Sequence, residues 1–174
     1  MTDSTLSQAI REAYAAAPAG QVIYHTLELN HPAFSAPIRV VRDYADLFAK
    51  LESSAPYDAG TYQNFVRFAF DFTKPDMSAT GVPQITITID NVDRSIVSNI
   101  ESAMGTADMV TAIYREYLST DLICPQNDPP IHMTIMTITA DVFKVTAVAG
   151  FVDLVNRRFP STAYDTTTFP GLIQ

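Results

Sequence analysis

The chain has 174 residues, of which 47% are hydrophobic and 17% charged, a composition typical of a folded globular protein rather than a disordered one. Its 19 acidic and 11 basic side chains give a formal net charge of -8 at pH 7, so the cationic surface that binds phosphate is missing. No apolar run is long enough to span a bilayer, and the first residues lack a secretory signal. We therefore expect a protein that is made in a cytoplasm, enters no membrane and has no sequence-specific nucleic acid binding.

A short helix is predicted at the N-terminus. Leu6, Ile10 and Tyr14 recur at four-residue spacing before the helix breakers at residues 18–20. This spacing places the three side chains on one stripe, so we expect the helix to cover another part of the fold.

From residue 21 the hydrophobic period changes to two. Residues 21–29 (QVIYHTLEL) predict a half-buried strand with Leu27 and Leu29 on its inner face and Glu28 on its outer face. The turn-forming residues 30–37 (NHPAFSAP) follow, and the extended pattern then resumes. We predict a strand, a corner and a second strand.

Two structures fit the apolar residues between 44 and 60. Leu47, Phe48 and Leu51 have the spacing of a helix, whereas Leu47, Ala49 and Leu51 have the alternation of a strand. The sequence leaves both structures open for this segment.

Two further stretches alternate strictly between apolar and polar residues. Residues 64–72 (NFVRFAFDF) predict a strand at the centre of the core, and residues 82–91 (VPQITITIDN) predict a strand in the same buried layer. The side chains predicted to face inward are Val66, Phe68, Phe70 and Phe72 in the first stretch and Ile85, Ile87 and Ile89 in the second.

The second half of the chain predicts one helix followed by three strands. Residues 93–104 carry apolar side chains at helical spacing, with Gly105 as the stop. Residues 109–118, 131–139 and 142–151 predict strands, the last two joined as a tight antiparallel hairpin. The apolar positions of the middle strand change face partway along it, which indicates a bulge or a strand covered on both sides.

These elements together predict a mainly β (α+β) protein, an antiparallel β-sandwich or barrel with one flanking helix. Residues 1–174 form a single domain in this prediction. It comprises the N-terminal helix within residues 1–20, a β-rich core at 21–155 with the helix at about 93–104, and an extended C-terminal arm at 156–174.

The sequence offers little support for catalysis or metal binding. His25, His31 and His132 are isolated from one another, and Cys124 is the only cysteine, which excludes an internal disulfide and a zinc site built on paired thiolates. His31 could be a catalytic residue or the corner of a hairpin, and its turn-forming neighbours favour the corner. We predict no catalytic residues, no metal site and no cofactor.

Four stretches together resemble a family of small minor tail proteins of long-tailed, siphovirus-type bacteriophages, many of whose members are described only as a domain of unknown function. The combination of DNVDR with NRRFP and a closing FPGL is the most specific part of this resemblance. The four stretches are residues 27–41, 82–100, 110–120 and 153–172.

The resemblance implies a tail-tube-like structural protein of the distal tail hub, or baseplate hub, of the virion, assembled with tube, tail-tip and tape-measure proteins after synthesis in the host bacterial cytoplasm. We expect copies of the chain to form a homo-oligomeric ring of threefold or sixfold symmetry between the tail tube and the fibre. The interface candidates are Arg157, Arg158, Phe169 and Leu172.

Two alternatives stay open. In the first, the β-scaffold is a binding module that recognises a host surface receptor or glycan. In the second, the chain is a cell-wall hydrolase that uses His31 or a pair of carboxylates.

Overall fold

The computed structural model describes residues 7–16, 20–73, 84–90, 98–99, 102–103, 106, 108–141 and 144–150. Within these residues the fold is mainly β, with nine strands in one sheet and an N-terminal helix, which confirms the predicted fold class. The elements are α1 (Gln8–Ala16), β1 (Ile23–Asn30), β2 (Ile38–Val41), β3 (Leu47–Lys50), β4 (Tyr62–Arg67), β5 (Phe70–Thr73), β6 (Gln84–Asp90), β7 (Thr111–Leu118), β8 (Ile131–Ala140) and β9 (Lys144–Gly150).

The order of strands across the sheet is β3-β4-β2-β1-β7-β8-β9-β6-β5. Neighbouring strands are antiparallel except β2 and β4, which are parallel with Val40 opposite Val66 and Val41 opposite Arg67. The wholly antiparallel sheet expected from the sequence is therefore a mixed one. Along the chain, β3 lies between β2 and β4 and runs antiparallel to β4. The chain therefore reverses twice between β2 and β4, which leaves these two strands parallel.

Two strands from opposite sides of the sheet, β4 and β5, are joined directly by the chain. Only Phe68 and Ala69 separate β4 from β5, so these strands lie within about 11 Å of each other although they stand near opposite ends of the strand order. The sheet consequently curls around the main hydrophobic core. Inside it the rings of Phe72 and Tyr114 stack with centroids 4.2 Å apart.

The interior of the curled sheet is closely packed. Side chains of β1, β6, β7, β8 and β9 meet there, and the cavity left among them has a volume of about 10 Å³. Such a space holds no more than about one water molecule. Among the described residues, the fold therefore has a filled core rather than a ligand chamber.

The single central strand predicted at residues 64–72 is wrong. The chain bends at Phe68 and Ala69, so this segment contributes to two strands near opposite ends of the sheet. The inward positions predicted for Phe70 and Phe72 of β5 are confirmed, since Phe70 is buried and Phe72 packs against the main core. In β4, however, the buried side chain is Phe65, whereas Val66 is 44% exposed. Because each strand has different neighbours, the inward face changes between them, and one alternating pattern cannot describe both.

Several predicted strands are confirmed. Ile85, Ile87 and Ile89 of β6 are buried, and β8 and β9 form the antiparallel hairpin. The register between β8 and β9 shifts around Met136, which confirms the predicted bulge. The segment left open at residues 44–60 contains a strand, β3, followed by a loop.

The N-terminal helix is confirmed as α1. Ile10 and Ala13 are buried and pack with Leu118 of β7, so the helix covers one end of the sheet. Ser7, just before the helix, donates hydrogen bonds from its backbone and side chain to Gln126, at 2.9 and 2.6 Å. These contacts fix the start of the helix against the loop that leads into β8.

Two predictions fall wholly or mostly outside the described residues. Of the predicted helix at 93–104, only 98–99 and 102–103 are described, and these four residues are helical. The C-terminal arm at 156–174, with the interface candidates Arg157, Arg158, Phe169 and Leu172, lies outside them. The assignment of residues 1–174 to one domain stays a prediction.

Candidate functional site

A flap made of β3, the loop at residues 51–61 and β4 covers the outer face of β1, β2 and β7. Its apolar side chains form a second hydrophobic core against the sheet. The buried members are Val41, Leu47, Ala49, Leu51, Ala55, Phe65 and Tyr117. Because of this cover, the outer face of β1 is not solvated, and the prediction that Glu28 faces solvent is wrong: Glu28 is fully buried.

A network of charged side chains lies beneath the flap. Arg115 of β7 is fully buried and forms a bidentate ion pair with Glu52 of the loop. Its Nε donates to Glu52 Oε2 at 2.7 Å, and its Nη2 donates to Glu52 Oε1 at 2.8 Å. Its remaining terminal nitrogen, Nη1, donates to Glu28 Oε2 at 3.0 Å. One arginine therefore ties the loop to two strands of the sheet.

Arg39 of β2 extends this network to the end of the loop. Its Nε donates to Glu28 Oε2 at 3.0 Å, and its Nη2 donates to Asp58 Oδ2 at 2.8 Å. A third nitrogen, Nη1, donates to Gln63 Oε1 of β4 at 2.9 Å. Asp58 has a φ of 53°, a backbone conformation that aspartate tolerates better than most residues, which suits the tight turn here.

The charges of this network stabilise one another. Burial alone would lower the pKa of Arg115, but its hydrogen bonds with Glu52 and the charges of Glu28 and Glu52 outweigh that effect and leave the pKa raised. Removing one partner from such a buried pair costs about 3–5 kcal/mol because the other charge is left uncompensated. We infer that the hydrogen bonds and ion pairs of this network hold the flap in one position on the sheet.

A second polar cluster joins α1 to the sheet. The hydroxyls of Tyr14 and Tyr114 donate to the same oxygen of the buried Glu116, Oε1, at 3.1 and 2.7 Å. Burial, followed by the charge of Glu116 and the hydrogen bond to it, raises the pKa of both tyrosines above the ordinary value. His25 Nδ1 lies 2.6 Å from the Tyr114 hydroxyl, so this histidine is part of the same hydrogen-bonded cluster.

His31 forms the corner between β1 and β2. Its Nδ1 accepts the backbone N–H of Ala33 at 3.0 Å, and its carbonyl accepts that of Phe34 at 3.0 Å. On the other side of the ring, Nε2 lies 3.2 Å from the carbonyl oxygen of Asp108 and 3.1 Å from the hydroxyl of Thr106. Both ring nitrogens are engaged in holding the turn, as the corner interpretation predicted.

The outer surface of the flap carries exposed aromatic side chains. Phe48 of β3 is 61% exposed and Tyr62 of β4 is 47% exposed, and their rings stack with centroids 5.4 Å apart and planes 15° apart. Val66 continues this apolar surface along β4. We call Phe48, Tyr62 and Val66 the flap patch.

The outer edge of β3 is open next to the flap patch. Leu51 donates its N–H to Thr61 on the β4 side, so Lys50 and Phe48 direct their backbone groups to the other side. The backbone of Lys50 is satisfied there by Leu122 and by the hydroxyl of Tyr117, both at 2.9 Å. No described residue bonds to the backbone of Phe48 on this side.

A surface cleft of about 770 Å³ lies where β4 leads into β5, lined by residues 42–44 and 67–71. Arg42 and Asp71 form an ion pair across it, with Nη1 to Oδ1 at 3.4 Å, and both side chains are more than half exposed. Tyr44, at one side, is 97% exposed. In the described part of the chain, this cleft included, no group of three or more histidine, cysteine or acidic side chains is placed to bind a metal ion.

Sequence reasoning missed the network beneath the flap. Glu28 and Arg39 stand between apolar residues in LEL and IRV, and Arg115 stands between Tyr114 and Glu116, so their pattern is that of an ordinary half-exposed strand. Alternation alone assigns such residues to solvent unless another layer covers them. The covering layer comes from residues 47–67, a segment whose structure the sequence left partly open.

The sequence profile of a family described as a domain of unknown function (DUF1833) matches residues 9–164, about nine tenths of the chain. A search of curated proteins gave no match. No helix among the described residues has the length and apolar character to cross a membrane.

Proposed function

We propose that this chain, which belongs to the family described as a domain of unknown function (DUF1833), is a structural virion protein of a bacteriophage tail tip. The proposal rests on the sequence and the geometry of the chain. The protein is a minor tail or distal tail hub component whose copies form a homo-oligomeric ring between tail tube and fibre. Its partners are its own copies and the neighbouring tail-tip, tube and tape-measure proteins. It needs no cofactor and no catalytic residue for this role.

The observation that carries the proposal is the open edge of β3 beside the flap patch. An exposed strand edge with unpaired backbone groups is a template for pairing with another chain. Here the edge lies next to Phe48, whose exposed ring stacks on Tyr62. Aromatic side chains are enriched at protein interfaces because they bury a large area on association. The flap therefore combines the backbone and side-chain features of a subunit contact.

The rigidity of the fold also supports a structural role. The interior of the curled sheet is filled, and the flap is tied to the sheet through Arg39 and Arg115. A ring subunit must present its contact surfaces in a fixed relative position, since errors in angle prevent the ring from closing. An anchored flap meets this requirement better than a mobile one.

The test is the mass of the purified chain in solution, measured by analytical ultracentrifugation over a range of concentrations. We expect a closed assembly of threefold or sixfold symmetry. Phe48→Glu would bury a charge in the contact and should weaken assembly by about tenfold or more, equal to about 1.4 kcal/mol. Met109→Glu is the matched control, because Met109 is 67% exposed and lies outside the flap.

Two results would count against the proposal. One is a wild-type chain that stays monomeric at every concentration, and the other is its absence from purified virions when their proteins are quantified by mass spectrometry. A monomer that binds host cells would instead favour the receptor-binding or glycan-binding module.

A further inference from the structure

A small cavity lies at the corner between β1 and β2, beside Tyr57 of the flap loop. Its volume is about 230 Å³, and it is lined by residues 30–32 and 34–37 together with Tyr57. Asn30, the last residue of β1, is 3% exposed, whereas Tyr57 is 46% exposed. Asn30 therefore belongs to the inner wall of the cavity, and Tyr57 belongs to its outer rim.

The side-chain amide of Asn30 has a buried acceptor that is not used. Its Nδ2 donates to Oε1 of Glu28 at 2.7 Å. The opposite orientation would place the amide oxygen against a carboxylate oxygen, so the amide must face Glu28 with its nitrogen. Oδ1 of Asn30 then has no hydrogen-bond partner among the described residues, although it is buried. Native proteins rarely keep such an acceptor without a donor, and because Asn30 lines the cavity, a donor can reach it from there.

The charge next to Asn30 favours a cationic donor. The network beneath the flap contains one more carboxylate than it has guanidinium groups. Its carboxylates are Glu28, Glu52 and Asp58, and its guanidinium groups are Arg39 and Arg115. Both guanidinium groups bond Oε2 of Glu28, whereas the only described group bonded to its Oε1 is the amide of Asn30. A carboxylate that accepts from an amide polarises it, which makes the amide oxygen a stronger acceptor for a positive charge.

The walls of the cavity suit an apolar stem that ends in an ammonium group. Pro32, Phe34 and Pro37 line it together with the ring of Tyr57. Methylene groups pack on such a surface, and the face of an aromatic ring attracts a cation. A metal ion fits less well, because it needs several ligands and no group of three or more histidine, cysteine or acidic side chains is placed for one in the described part of the chain.

We propose that this cavity binds a primary ammonium group on a short alkyl stem, as carried by a free alkylamine or by a lysine side chain of another protein. The ammonium group donates to Oδ1 of Asn30, and the stem lies against Tyr57. The net charge of -8 attracts such a cation from a distance. The cavity shares no residue with the flap patch, so the test of this site does not depend on the assembly of copies.

The test is a titration of the full-length chain, followed by isothermal titration calorimetry. The probes are butylammonium and a tripeptide with a central lysine and both ends blocked. We expect the chain to bind a primary ammonium group. Butyltrimethylammonium is the matched probe, because it has the same charge and stem but no N–H group. It should bind about tenfold or more weakly than butylammonium, since it cannot donate to Asn30.

A pair of variants tests the wall of the cavity. Tyr57→Ala removes the aromatic ring at the rim and should weaken the binding of butylammonium by about threefold or more. Tyr44→Ala is the matched control, because Tyr44 is 97% exposed and does not line the cavity. It should keep the wild-type affinity.

Three results would overturn the inference: no binding of either primary amine, equal binding of butylammonium and butyltrimethylammonium, or equal losses for the two tyrosine variants. The two primary amines also separate the possible sources of the ligand. Binding of both supports a lysine side chain of a partner protein. Binding of butylammonium alone supports a free alkylamine and overturns the lysine side chain as the source.

Discussion

Glu28 Oε2 lies 3.0 Å from Nη1 of Arg115, and both side chains are fully buried between the sheet and the flap. The same oxygen accepts Nε of Arg39 at 3.0 Å. One carboxylate oxygen of β1 thus accepts hydrogen bonds from two guanidinium groups, one on each of the neighbouring strands, β2 and β7. A change at any of the three leaves charge without compensation in a water-poor site, so this contact is where the flap is most sensitive to substitution.

Replacing Arg115 should have a large effect on stability. Arg115→Ala leaves Glu28 and Glu52 without their common partner, and we expect the free energy of unfolding to fall by about 3–5 kcal/mol, measured by urea denaturation. Arg42→Ala is the matched control, since the ion pair of Arg42 with Asp71 is exposed and should contribute less than about 1 kcal/mol. Equal losses for the two variants would contradict the role given to the buried network.

Stability should fall at alkaline pH because of buried tyrosines. Burial is the largest cause of the raised pKa of Tyr114 and Tyr117, whereas in the unfolded chain tyrosine ionises near its model value of 10.0. A raised folded pKa gives stability that is complete below pH 10 and is lost above it, by up to about 1.4 kcal/mol per pH unit for each group.

Tyr114→Phe removes one of these groups, so the fall in stability between pH 10 and 11 should become shallower than in the wild type. Urea denaturation at a series of pH values measures the slope. Tyr44→Phe, which removes the hydroxyl of an exposed ring, serves as the control and should keep the wild-type slope. If Tyr114→Phe also kept that slope, the burial of its hydroxyl would not be the cause.

The close approach of Gly150 to the bulge predicts a coupled pair of substitutions. A Cβ atom added at Gly150 would meet Cε and Sδ of Met136 at 3.0 and 3.1 Å. Because the Met136 side chain is flexible and more than half exposed, Gly150→Ala should cost no more than about 1 kcal/mol. Combining it with Met136→Ala should remove that cost. A double-mutant cycle measured by thermal unfolding that gave additive losses would argue against this contact.

The corner histidine should matter for folding and not for assembly. His31→Ala removes the acceptor for the N–H of Ala33 and the contacts of Nε2 near Asp108, and we expect a loss of about 1–3 kcal/mol in unfolding free energy. The mass of the assembled protein should stay unchanged at temperatures where the variant is folded. A stable variant that had lost infectivity would instead revive the catalytic alternative for His31.

The local alternation of apolar and polar residues predicted the structure correctly where only one face of a strand is covered. The isoleucines of β6, the β8-β9 hairpin and the bulge at Met136 followed from alternation and its interruption. The pattern failed at Glu28 and at residues 64–72. There the outcome depends on contacts between distant parts of the chain, namely the flap over β1 and the change of partner at Phe68 and Ala69. Neither contact leaves a mark in the local periodicity.

The junction of β4 and β5 also has a mechanical consequence. Neighbouring strands in this sheet are held together by backbone hydrogen bonds, which break when a force pulls the strands apart. At the junction β4 and β5 are instead connected through the peptide backbone of Phe68 and Ala69. A tensile force applied between β2 and β6 would therefore be carried partly by covalent bonds. A single proteolytic cut there would leave β4 and β5 without a covalent link, so the sheet would separate where its hydrogen bonds between strands are weakest.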